Sequence, residues 1–112
     1  MDRTQIATRL MEIPQAIAEQ ELAVLEANRA AQRAKEYLAG RESELLLNGA
    51  IDGKNAEIRE AQLRANTTAE REQYFAADGA VAMERVKLNA LHNEFKALQV
   101  VAKLLSVGGD MA

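Results

Sequence analysis

The chain has 112 residues, 48% hydrophobic and 4% aromatic, with 14 Lys or Arg against 17 Asp or Glu and a net charge of -3. That length holds one domain, and the near balance of charge excludes both a basic arm wrapping nucleic acid and an acidic mimic of it. There is no cysteine, which rules out disulfides and thiolate metal sites. The stretch from Met1 to Gln15 has no apolar core of signal-peptide length, and no aliphatic run approaches the roughly 20 residues of a membrane helix. The expectation is a soluble, cytoplasmic protein without a membrane partner. Alanine fills 22 positions and proline one, the composition of a helical chain with a thin aliphatic core.

In chain order, a short helix over residues 1–13 ends at Pro14, which lacks a backbone donor and starts the next helix. A long helix over 14–47 follows, in which Gly40 is tolerated. Asn48-Gly49-Ala50-Ile51-Asp52-Gly53 is the strongest break, a loop over 48–53 that supplies positive-φ positions, with Asp52 as the next N-cap. A second helical arm spans 54–106, with two sites where it can break. Thr67-Thr68-Ala69-Glu70 fits a capping box at 66–68, and Asp78-Gly79 allows a kink at 78–79. Gly108-Gly109-Asp110 closes the arm and leaves a tail over 107–112. No period-2 alternation supports a strand.

Heptad spacing decides the architecture. Ile17, Gln20, Val24, Ala27, Ala31, Ala34, Leu38, Arg41 and Leu45 alternate in steps of three and four. So do Leu88, Leu91, Phe95, Leu98, Ala102 and Leu105, with Val81, Ala77 and Tyr74 before them. Each series is a seam for one partner helix, so the fold class is all-α, a long antiparallel helical hairpin with a short N-terminal helix. With the loop centred near residue 51, residue i faces about 102 minus i, which sets Ala27 and Ala31 against Arg71, Tyr74 and Phe75. Apolar residues near the C-terminus exceed one stripe, so Phe95, Leu98, Val101, Leu104 and Leu105 are the predicted self-association residues. The expected state is a homo-oligomeric bundle, in the simplest case a dimer.

Reaction chemistry has little to stand on. His92 is the single histidine, so neither a metal constellation nor a charge-relay set can be assembled, and neither an enzyme nor a cofactor is expected. Gly53-Lys54-Asn55 falls short of a phosphate loop, having no glycine five positions earlier and no hydroxyl after the lysine. Arg29, Arg33 and Lys35 form a basic cluster flanked by Glu26 and Glu36, expected either to contact a partner or ligand, so that their reversal to Glu alters partner binding, or to be a mixed solvated face. Thr67, Thr68, Arg71 and Tyr74 combine hydroxyls, a guanidinium and an aromatic ring, a set able to hold a phosphate or a stacked base. Capping and core packing account for the same four residues.

The stretch from Leu45 to Leu63, with Gly53-Lys54-Asn55-Ala56-Glu57-Ile58-Arg59 at its centre, resembles a turn in small all-helical hypothetical proteins of tailed phages and prophages. Gly53 would permit the turn, while Asn55 and Arg59 would tie the loop to the helix end. The resemblance implies an early, non-virion role near recombination functions. The expected function is that of a non-enzymatic helical interaction protein that regulates or inhibits a host or phage DNA-processing or defence factor. Two alternatives stay open: a small-ligand or nucleotide sponge or nucleic-acid accessory protein in phage counter-defence or recombination, using the Arg71 and Tyr74 region, and a virion structural component.

Overall fold

The computed structural model describes residues 1–111, which form three helices: α1 (Arg3–Leu47), α2 (Ala56–Asn66) and α3 (Thr68–Met111). Among the described residues there is no strand. Asp2 opens α1 through a reciprocal capping box. Its Oδ1 accepts from the Gln5 backbone N–H, and Gln5 Oε1 accepts from the Asp2 N–H, both at 2.8 Å.

Pro14 lies inside α1, which corrects the expected separate helix over 1–13. An interior proline costs about 3 kcal/mol. Ile6 and Ile13 are both buried on the near side of it, and each such side chain contributes about 1.5–3 kcal/mol. Packing therefore outweighs the local penalty, and the helix runs through.

The end of α1 is a Schellman turn. Gly49 takes φ 78°, and the Ala50 N–H reaches the Leu45 carbonyl at 3.1 Å. The next helix begins later than expected. Asn55, not Asp52, is the N-cap of α2, its Oδ1 accepting from the Ile58 N–H at 2.9 Å. The second arm is broken at Thr67, the C-cap of α2, and is continuous through Asp78-Gly79. The expected stop at Gly108-Gly109-Asp110 does not occur, since α3 continues to Met111. Glycines weaken a helix there, but no proline enforces an end. Of the expected tail over 107–112, residue 112 lies outside the described residues.

Two compact units divide the chain. The first joins residues 1–25 to the chain from Met83 onward. Three cross-links set α1 and α3 antiparallel in it: Arg3 to the Leu105 carbonyl, Arg9 to Glu94, and Gln20 to Glu84. Ile6 and Ile13 are buried, and Leu88, Leu91, Phe95, Leu98, Ala102 and Leu105 are half-buried as one seam.

The second unit spans residues 26–82. Ala31, Leu38, Leu45, Ile51, Thr67 and Val81 are buried in it, and the α1 seam positions Ala27, Ala34 and Arg41 are half-buried. The expected register fails here. Arg71 reaches Glu42 at 3.9 Å rather than facing Ala27 and Ala31, and Phe75 is 72% exposed. The connection from α1 to α3 includes a whole extra helix, α2, and the Arg71–Glu42 pair departs from the expected register by 11 positions, whereas in the first unit Arg9–Glu94 and Gln20–Glu84 lie within two positions of it.

Candidate functional site

The turn motif is used up locally. Arg59 donates to the Gly53 carbonyl at 3.1 Å, the Gly53 N–H donates to Gln62 Oε1 at 2.9 Å, and Gln62 Nε2 donates to Asp52 Oδ1 at 2.8 Å. Asn55 caps α2, and Glu57 sits in its first turn, where the helix dipole favours a carboxylate. Gly53 serves through its lack of a Cβ and not through its backbone angle, because Gly49 alone among the described residues has a positive φ. Lys54 remains exposed beside this network.

The hydroxyl and guanidinium cluster is likewise committed to the fold. Thr67 is fully buried; its Oγ1 donates to the Leu63 carbonyl at 2.6 Å and accepts from Arg71 Nε at 2.9 Å. The reciprocal capping box expected with Glu70 is replaced by this arrangement. The Thr67 carbonyl accepts the first α3 bond, from the Arg71 N–H. Thr68 Oγ1 donates to the Arg64 carbonyl at 3.3 Å. The half-buried Tyr74 stacks on Phe75, with ring centroids 6.2 Å apart. The four residues thus share the α2–α3 junction, with the Arg71 head directed at Thr67 and Glu42.

Arg29, Arg33 and Lys35 are all exposed. Arg29 and Arg33 stand one turn apart on one face, but Lys35 is two residues beyond Arg33 and so about 200° round the helix. The three do not form one patch. His92 is exposed, and no group of three or more potential ligands among the described residues could hold a metal ion. No helix among them is long and apolar enough to cross a membrane.

The first unit carries two polar rungs between its helices. Arg9 grips Glu94 through Nε at 2.8 Å and Nη2 at 2.6 Å, a bidentate pair. These hydrogen bonds hold the Glu94 carboxyl below its ordinary range and push the Arg9 guanidinium further up. Gln20 donates to both the carbonyl and the carboxylate of Glu84, and with help from Lys87 lowers that carboxyl too. Near the far end of the seam lies an open cleft of about 330 Å3, lined by Ile6, Leu10, Ala102 and Leu105, with Arg3 at its edge. Its apolar walls come chiefly from side chains where α1 and α3 meet, with the exposed Ala7 and Ser106 at the margin, which marks it as a packing gap between the two helices.

The predicted self-association residues divide between two faces. Phe95, Leu98 and Leu105 are half-buried on the seam toward α1, whereas Val101 and Leu104 are exposed. Leu104 belongs to a second series absent from the sequence expectations: Met83, Val86, Ala90, Asn93, Ala97, Val100, Leu104 and Val107. These eight also alternate in steps of three and four, and every one is exposed. At 100° per residue they lie about 160° from the inner seam. The C-terminal half of α3 is therefore apolar on two opposite faces, with α1 against one of them. The signal was in the sequence, two positions out of phase with the seam. No family model matches the chain, nor does any curated protein or solved structure compared with it.

Proposed function

We propose that this chain is a non-enzymatic helical interaction protein whose working surface is the outer face of α3 in the first unit. The supporting observation is the exposed series from Met83 to Val107, with Met83 at 60%, Val86 at 60%, Val100 at 59% and Leu104 at 67%. A contiguous apolar stripe left in water is a binding surface in waiting. A stripe in heptad spacing suits a helix as its counterpart. The finer reading is that occupancy of this face regulates or inhibits a host or phage DNA-processing or defence factor, and it draws on the resemblance of the Gly53–Arg59 turn.

The test is capture of partners by tagged Leu104→Glu and by an Arg29→Glu/Arg33→Glu double variant. The first should abolish capture and leave helical circular dichroism unchanged. The second, remote in sequence from the stripe, should capture as the parent chain does. Retained capture by a folded Leu104→Glu protein would refute the assignment.

A further inference from the structure

We infer that the outer face of α3 pairs antiparallel with the same face of a second copy of this chain, about a two-fold axis beside residue 95. This rests on the reading of that face as the interaction surface, and it names the counterpart.

The first support is the order of side-chain sizes along the stripe. Large residues stand at both ends, Met83 and Val86 at one and Leu104 and Val107 at the other, with Ala90, Asn93 and Ala97 in the middle. In an antiparallel pair, Met83 meets Val107 of the second copy, Val86 meets Leu104, Ala90 meets Val100, and Asn93 meets Ala97. Ala90 is thus filled by a valine, and no two alanines face each other. Parallel pairing in register would instead stack Ala90 on Ala90 and Ala97 on Ala97, leaving gaps that close packing does not tolerate. The match of one surface to itself is what a two-fold interface requires. The two Asn93 amides flank the axis and supply a polar register mark within an apolar stripe.

The second support is exposure. Met83, Val86, Val100, Leu104 and Val107 are each between 54% and 67% exposed, so every large side chain of the stripe is left for a second copy to cover.

The absence of native cysteine makes the geometry directly testable. Residues 83 and 107 lie about 36 Å apart along α3 at 1.5 Å per residue. Bridging requires Cα atoms within about 7 Å. Mild oxidation of Met83→Cys protein mixed with Val107→Cys protein should therefore yield a disulfide-linked pair. Met83→Cys alone should yield none. Sedimentation equilibrium should give a dimer at micromolar concentration, and Leu104→Glu should raise its dissociation constant at least tenfold with helicity intact.

Linking of Met83→Cys to itself would overturn the antiparallel pairing. A dimer undiminished by Leu104→Glu would overturn the interface. A wild-type monomer whose partner capture is nonetheless lost in Leu104→Glu would overturn the second copy alone and leave the interaction surface standing.

Discussion

A Cβ at position 53 would stand 2.6 Å from Ile58 Cγ2 and 3.0 Å from both the Arg59 nitrogen and Gln62 Oε1. Gly53→Ala must therefore push α2 away from its own loop, at an expected cost of about 1–3 kcal/mol. Gly49 has open space around it but a left-handed backbone, so Gly49→Ala should cost about 1–2 kcal/mol by a different route. Gly40 has neither constraint in the interior of α1, and Gly40→Ala should stabilise by up to about 1 kcal/mol. Urea unfolding of the three variants gives two losses and one gain if these roles are right. Equal effects at 40 and 53 would show that the close approach at Gly53 does not matter.

At the scale of the element, the rungs between α1 and α3 make the first unit sensitive to acid. Glu94 and Glu84 have carboxyl groups lowered by their hydrogen-bond donors. A lowered folded pKa contributes stability at pH above the unfolded value of about 4.3 and loses it as pH falls through the folded value. The difference in Tm between wild type and Glu94→Gln should accordingly be largest near neutral pH and shrink in acid, as wild-type Glu94 itself becomes protonated. A difference that does not vary with pH would mean that the Arg9 pair adds nothing through charge.

The helical class and both inner seams were legible from spacing, because heptad periodicity reports directly which residues a partner covers. Helix limits were less so. Asp2-x-x-Gln5 is a capping box by residue type and spacing, and the penalty at Pro14 is overruled by Ile6 and Ile13, whose burial is tertiary. Asp52 and Asn55 are equivalent caps by residue type. What separates them is that Gln62, ten residues away, takes the Asp52 carboxylate. The candidate polar sites read as chemistry in one dimension because Arg71 and Thr67 show no partners there. In three dimensions their hydrogen bonds are already made.

For the whole molecule, the separations of these bonds along the chain have a further consequence. Those closing the first unit join residues 64, 85 and 102 positions apart, whereas the Asp52–Gln62 and Gly53–Gln62 bonds in the second span 10 and 9. Closing a long loop costs more chain entropy than closing a short one, and distant pairings are slow to form. Assembly should therefore begin around the turn and proceed outward, with the two ends of the chain meeting last and parting first. Native-state amide exchange on the Leu104→Glu protein, free of any added protection from self-pairing, should show it. Amides between Ile13 and Leu22 are expected to exchange faster than those between Ala31 and Leu45. Equal protection along α1 would mean that the molecule opens as one cooperative body, and that neither end can loosen without the turn melting with it.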